Sequence, residues 1–188
     1  MGGFMRLEEK NISSRLIYDG KVVHLYEDEV LLPDGQSARR EYVKHIGAVC
    51  VLALTDQGEV ILERQFRYPF HKELIEIPAG KLDSADEDPK EAALRELREE
   101  TGYVPTRITY IGDFYSSPAI LDERIRMFFA EGLMRDEQQL DDDEFLEVFT
   151  MPLKALVDEI LAGHISDGKT QAAALKVYTM LQQKGRTI

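Results

Sequence analysis

The 188-residue chain has no tryptophan, a single cysteine, no run of apolar residues near the length of a bilayer and no cluster of basic residues. Each absence removes a class of protein. One cysteine rules out an intrachain disulfide, and Cys50 falls inside the apolar run AVCVLAL, where a small buried thiol is expected. A membrane-spanning helix needs about 20 apolar residues, and nothing here approaches that. The opening MGGFMRLEEK lacks the apolar region of a signal peptide, and Arg6 stands where a myristoylation start wants Ser or Thr. A cytoplasmic protein is expected, with no membrane partner. Lys and Arg number 23 against 35 Asp and Glu, a net charge of −12, so a nucleic-acid backbone would be repelled and no nucleic-acid partner is expected. Internal repeats and low-complexity linkers are also missing.

What is present is an ordinary globular composition, 44% hydrophobic, in a length that suits one domain or one domain with an appended dimerisation element. Residues 13–43 alternate apolar and polar between the turn signals Asp19-Gly20 and Pro33-Asp34-Gly35, which predicts antiparallel hairpins. Residues 48–54 read as a buried strand, 59–67 as an alternating one, and 74–77 as a short strand entering Pro78-Ala79-Gly80. A helix follows, with Asp88 as N-cap, Pro89 in its first turn, Glu91 completing a capping-box pattern and Gly102 as its stop. Strands are expected near 107–115 and 124–133. Seven acids and no Lys or Arg in residues 136–147 predict a loop, and everything after it reads as helix, over 152–161 and 169–183. The expected fold class is α+β, an α/β/α sandwich with a mixed sheet between helices and an N-terminal antiparallel strand extension. The division expected is 1–45 for a strand-rich dimerisation extension and 46–188 for the main domain.

The helix carries the chemistry. Taken alone, KEAALRELREE fits a solvated face, with Glu91 and Arg95, then Arg95 and Glu99, spaced for i,i+4 pairing. Yet Glu96 and Glu100 repel on one face, and Glu99 and Glu100 lie at the negative end of the helix dipole. A bound divalent cation reverses both penalties. The bend at Pro78-Ala79-Gly80 offers a carbonyl beside them, and an oxygen ligand set with no nearby Cys or His suits Mg²⁺, with Mn²⁺ as a substitute, rather than zinc.

These residues resemble the Nudix box: Gly, five residues, Glu, seven residues, then Arg-Glu-apolar-x-Glu-Glu-x-Gly-apolar. Gly80, Glu87, Arg95, Glu96, Leu97, Glu99, Glu100, Gly102 and Tyr103 fill it. Six residues separate Gly80 from Glu87, so either the loop holds one extra residue or Asp86 takes the early acidic place. The resemblance implies metal ligation by Glu96 and Glu100, Glu99 in or beside the same shell, an oxygen from the Ala79 carbonyl, and Arg95 holding a glutamate in place.

Outside the box, ERQFRYP, LIEIPAG, DDDEFLEV and Pro118, 15 residues after Tyr103, resemble the ADP-ribose and nucleoside diphosphate sugar pyrophosphatase branch. That branch implies a metal-dependent hydrolase cleaving a nucleoside diphosphate sugar, ADP-ribose or a related compound, to a nucleoside monophosphate and a sugar phosphate. It also implies a homodimer with the substrate across two subunits. Arg67 matches an arginine on the diphosphate, Arg39 and Arg40 match arginines reaching the nucleotide from the N-terminal region, and Glu123 a residue near the ribose or the metals. Glu144 matches the loop glutamate that acts as general base, with Asp142 as a substitute. Val22 and Arg40 stand where some relatives stack the base on an aromatic ring, which leaves the nucleobase open. Two other readings remain: a Nudix hydrolase of dinucleoside polyphosphates or RNA caps, and a catalytically silent ADP-ribose-binding sensor.

Overall fold

The computed structural model describes residues 6–140 and 144–186. The chain divides into two compact units, Met1–His45 with Ser117–Glu123, and Ile46–Ser116 with Arg124–Ile188. In the first unit, β1 (Lys10–Asp19), β2 (His24–Leu31) and β3 (Ser37–Lys44) form an antiparallel meander. The expected turn at Pro33-Asp34-Gly35 closes the second hairpin, with Gly35 at φ 87° and its N–H on the Leu32 carbonyl. The segment from Ser117 attaches through Val43 N–H to the Ile120 carbonyl and Asp122 N–H to the Val43 carbonyl. Val30 alone is buried among the described residues of this unit, while Ile12, Leu16 and Ile17 of β1 are exposed. Three strands with so little core are marginal by themselves.

The second unit holds β4 (Ala48–Leu54), β5 (Glu59–Arg67), β6 (Lys72–Glu76), β7 (Ala79–Lys81), α1 (Pro89–Thr101), β8 (Tyr103–Phe114), β9 (Ile125–Arg135), β10 (Leu146–Pro152), α2 (Leu153–Leu161) and α3 (Gly168–Gln183). The sheet is mixed, in the order β10-β5-β4-β9-β8, and β4 with β9 is its parallel pair. Strand β4 is buried on both faces, which is why it reads as a continuous apolar run. Period-two alternation separates its two sides. Cys50, Leu52, Val60 and Leu62 pack with Leu153, Leu156, Val177 and Leu181 of α2 and α3, whereas Val49, Val51, Ala53 and Ile61 pack with Ala92, Ala93 and Leu97 of α1. The sheet therefore lies between α1 and the α2–α3 pair, the sandwich the pattern of elements implied.

One segment departs from the sequence expectation. Residues 146–152 do not belong to an acidic loop followed by helix; they form β10, paired antiparallel along β5 from Leu146 opposite Gln65 to Pro152 opposite Glu59. The alternation in LEVFTMP marks a half-exposed edge strand, obscured by the acids before it and the proline at its end.

The layout of β4 to β7 positions the site. Strands β4 and β5 pair only at Leu54 opposite Val60. Beyond that point β6 takes the edge of β5 from Glu63 to Arg67, and β7 takes β4 from Cys50 to Ala48. The Pro78–Gly80 segment thus runs between two splayed strands toward α1.

Candidate metal and diphosphate site

Helix α1 starts and stops by local chemistry. Asp88 Oδ1 accepts from Lys90 N–H at 2.8 Å and Glu91 N–H at 3.3 Å, Pro89 needs no partner for a missing N–H, and Gly102 closes the helix at φ 66°. The buried stripe of Ala92, Ala93, Leu97 and Thr101 fixes its rotation, which sends Glu96 and Glu100 toward the Pro78–Gly80 segment. Ala79 N–H donates to Glu100 Oε2 at 2.9 Å. Gly80 is glycine for a steric reason: a Cβ there would stand 2.0 Å from the Glu96 carboxyl carbon and 2.1 to 2.2 Å from its oxygens. Glu96 can approach the strand only because that atom is missing.

Arg95 gathers the acids around it. Its Nη1 donates to Glu96 Oε1 at 2.9 Å and to Glu99 Oε2 at 3.2 Å, its Nε to Glu87 Oε1 at 3.2 Å, and its Nη2 to the Lys81 carbonyl at 3.2 Å. Burial works against the guanidinium charge, but the bond to Glu87 and the Glu96 and Glu99 carboxylates outweigh it and raise its pKa. Glu87 also takes Asp83 N–H at 2.6 Å. The extra residue after Gly80 is therefore absorbed in the loop, and Glu87 is the acid bonded to Arg95.

Two carboxylates from the sheet join these. Glu63 of β5 and Glu76 of β6 are Cα partners, and with Glu100 they are 3 to 4% exposed. Glu76 is compensated: Arg67 Nε and Nη2 donate to its two oxygens at 2.6 and 2.8 Å, and Lys169 Nζ of α3 donates to Oε2. Burial would raise its pKa, but these cations hold it down at about 2. Lys169 also lies 3.2 Å from Asp167 Oδ1, and Asp167 caps α3 through Thr170, whose Oγ1 accepts Ile77 N–H at 2.9 Å. This ties the start of α3 to the backbone entering the Pro78–Gly80 segment.

Glu63, Glu96 and Glu100 are not compensated in this way. Burial pushes Glu96 up to about 7, with Arg95 opposing and Glu99 and Glu144 adding repulsion. Glu63 and Glu100 share a side-chain hydrogen bond, which lowers Glu63, yet both are raised, first by burial, then by repulsion from Glu144 and Glu76 at Glu63 and from Glu63, Glu96 and Glu144 at Glu100. Glu63 Oε1 is buried with no hydrogen-bond partner among the described residues. Clustered, water-shielded carboxylates with an open oxygen, beside a backbone strand that glycine keeps close, fit a divalent cation. Among the described residues no three side chains already form a closed cage; the Glu96 and Glu100 oxygens are instead engaged by Arg95 and by Ala79 N–H.

The loop that returns from β9 is fastened to the same helix. Asp136 N–H donates to the Gly102 carbonyl at 2.8 Å, Gln139 N–H to the Glu99 carbonyl at 2.9 Å, and the Gln138 side chain to the Glu100 carbonyl. These bonds satisfy helix-end carbonyls and direct the loop back past α1. Glu144 follows, with its charge felt at Glu63, Glu96 and Glu100, while Asp142 lies outside the described residues.

Comparison with known proteins agrees with this arrangement. The NUDIX domain model matches residues 44–175, well over half of the chain. The chain belongs to the Nudix family. A second model, the nucleoside diphosphate sugar hydrolase N-terminal domain, matches residues 9–43. An ADP-ribose pyrophosphatase of Bacillus subtilis is 46% identical over 169 residues, 89% of this chain and 91% of that one. A methanol dehydrogenase activator of Bacillus methanolicus is 42% identical over 178 residues, 94% and 95% of the two chains. A crystal structure described as an ADP compounds hydrolase superposes with a TM-score of 0.85, covering 99% of this chain and 100% of its own at 18% identity, which supports the Nudix fold.

Of the residues singled out from sequence, the second unit brings together Ala79, Arg95, Glu96, Glu99, Glu100, Arg67 and Glu144. Arg39, Arg40 and Glu123 belong to the first unit. There Arg40 pairs with both oxygens of Glu9 at 2.9 and 2.6 Å, Arg39 Nη1 lies 3.6 Å from Glu27, and His45 Nε2 lies 3.7 Å from Glu123. Sequence reasoning missed Glu63, Glu76 and Lys169. The available signal was phase: Glu63 follows Ile61 by two in a strand whose α1-facing side is buried.

Proposed function

We propose that this Nudix protein hydrolyses nucleoside diphosphate sugars, ADP-ribose or a related compound, to a nucleoside monophosphate and a sugar phosphate, with Mg²⁺ as cofactor and Mn²⁺ as a substitute. The observation that carries this is the buried carboxylate cluster of α1 against Gly80, with Arg67 and Glu144 beside it. Glu96 and Glu100, with the Ala79 carbonyl, would hold the cation, and Glu99 would lie in or beside that shell. The metal supplies charge neutralisation for the diphosphate and a lower pKa for the attacking water. Arg67 has its Nε and Nη2 edge fixed by Glu76, so Nη1 is the edge that meets a phosphate oxygen. Arg95 keeps Glu96 and Glu99 oriented. Glu144, reaching the cluster from the β9–β10 loop rather than from α1, takes the proton of the attacking water.

The family names of the relatives support a nucleoside diphosphate compound as substrate, and the match over residues 9–43 supports a nucleoside diphosphate sugar within that class. The first unit is assigned as a dimerisation extension: its exposed Ile12, Leu16 and Ile17 suit a cover by a second copy, in which Arg39, Arg40 and Glu123 would serve nucleotide binding. The protein would act in the cytoplasm. Glu100→Gln tests the site: metal-dependent turnover is lost while circular dichroism stays native, and near-normal activity at limiting Mg²⁺ would contradict the assignment.

A further inference from the structure

We propose that Glu63, on the sheet and outside the Nudix box, is an additional carboxylate of the metal site, offering its Oε1 to the cation that α1 holds. The inference rests on reading α1 as the metal-holding helix. Three observations converge on it. Glu63 points to the α1 side of the sheet, two residues after Ile61, and bonds Glu100 directly. It is 4% exposed, yet its Oε1 has no hydrogen-bond partner among the described residues. Its register partner Glu76 takes two cations, Arg67 and Lys169, as direct hydrogen-bond partners, and neither donates a hydrogen bond to Glu63.

A buried carboxylate oxygen with no donor is destabilising, and a chain built only for stability would place a neutral or apolar residue here. Among the described residues the carboxylates nearest in charge are Glu100, Glu144 and Glu76, and Lys169, whose charge lowers Glu63, gives its hydrogen bond to Glu76 instead. A divalent ion shared between α1 and β5 satisfies the open oxygen and removes the repulsion between Glu63 and Glu100 together. It also joins helix to sheet across the site, so metal binding would rigidify β5 at the strand that carries Arg67.

Glu63→Gln separates this from a structural role. Mn²⁺ affinity, read from free Mn²⁺ by electron paramagnetic resonance, should fall about tenfold or more, in the range seen when groups around a metal are removed. Metal-free Tm should hold or rise, because repulsion with Glu100 is relieved. Unchanged Mn²⁺ affinity in the folded variant overturns the proposal. Should Glu63→Gln fail to fold, Glu63→Asp keeps the charge and withdraws the oxygen by one methylene; weaker Mn²⁺ binding supports the proposal and wild-type affinity overturns it. Wild-type protein that bound no Mn²⁺ would instead sink the metal-site reading itself.

Discussion

Replacing Gly80 by alanine isolates the contact on which the site is built. The added methyl would fall 2.0 Å from the Glu96 carboxyl carbon, where ordinary contact begins at 3.4 Å, so the carboxylate must retreat by roughly 1.4 Å. The obstructing atoms are the far end of a flexible side chain, and Gly80 is not in the left-handed region, so the fold can accommodate the change. Loss of unfolded-chain entropy favours the variant by about 0.4–1 kcal/mol, which offsets part of any crowding. The net stability change should stay within about 1 kcal/mol, or roughly 2–4 °C in Tm for a chain of this size. Metal geometry has no such tolerance: ligand distances hold to about 0.2 Å, so a carboxylate displaced by several times that is lost as a ligand. Gly80→Ala should therefore look native by circular dichroism and thermal melting, yet bind Mn²⁺ at least ~10-fold more weakly and lose turnover in parallel. Wild-type Mn²⁺ affinity in this variant would refute the steric reasoning, and a collapse in Tm without a change in affinity would do so as well.

Two further outcomes follow from the charges. Glu96, Glu63 and Glu100 have folded-state pKa values above the ordinary 4.5, with Glu96 at about 7, so the metal-free fold is free of their penalty below 4.5 and loses stability as pH rises through the folded values. For Glu96 that is roughly 3 kcal/mol. Glu76, held at about 2, runs the other way, its contribution intact above 4.5 and lost as pH falls toward 2. Metal-free Tm should thus peak near pH 5 and be lower at pH 8, with saturating Mg²⁺ closing the gap; a flat profile from pH 5 to 8 in chelator would contradict it. Glu144→Gln should lower kcat by about 10²–10⁴-fold with KM and Mn²⁺ affinity little changed, and a variant with unaltered kcat would remove Glu144 as the base.

Much of this was legible because it is local. The Asp88 cap, Pro89 and the Gly102 stop are near-neighbour chemistry, so α1 could be delimited from residues alone, and the hairpin at Pro33-Asp34-Gly35 likewise. The buried β4 was legible from its apolar run. What escaped depends on distant partners. Strand β10 is recognisable only from the β5 edge it covers, since its own alternation is short and half exposed. Glu63 and Glu76 read as ordinary strand acids until register sets them opposite each other and α1 and α3 close over them. Lys169 belongs to the site only through the approach of α3 to β6, a separation of 93 residues in the chain. The ambiguity between Asp86 and Glu87 was a question of loop path, and the bonds from Arg95 and Asp83 N–H resolve it.

Hydrolysis of a nucleoside diphosphate sugar at the α1 site is tested most directly by turnover of ADP-ribose and a panel of nucleoside diphosphate sugars with Mg²⁺ in ¹⁸O-labelled water, products resolved by mass spectrometry. A nucleoside monophosphate and a sugar phosphate are expected, one of them carrying a single ¹⁸O, with no products in chelator. Tight binding of ADP-ribose without Mg²⁺-dependent cleavage of any member of the panel would contradict it and mark the protein as a sensor.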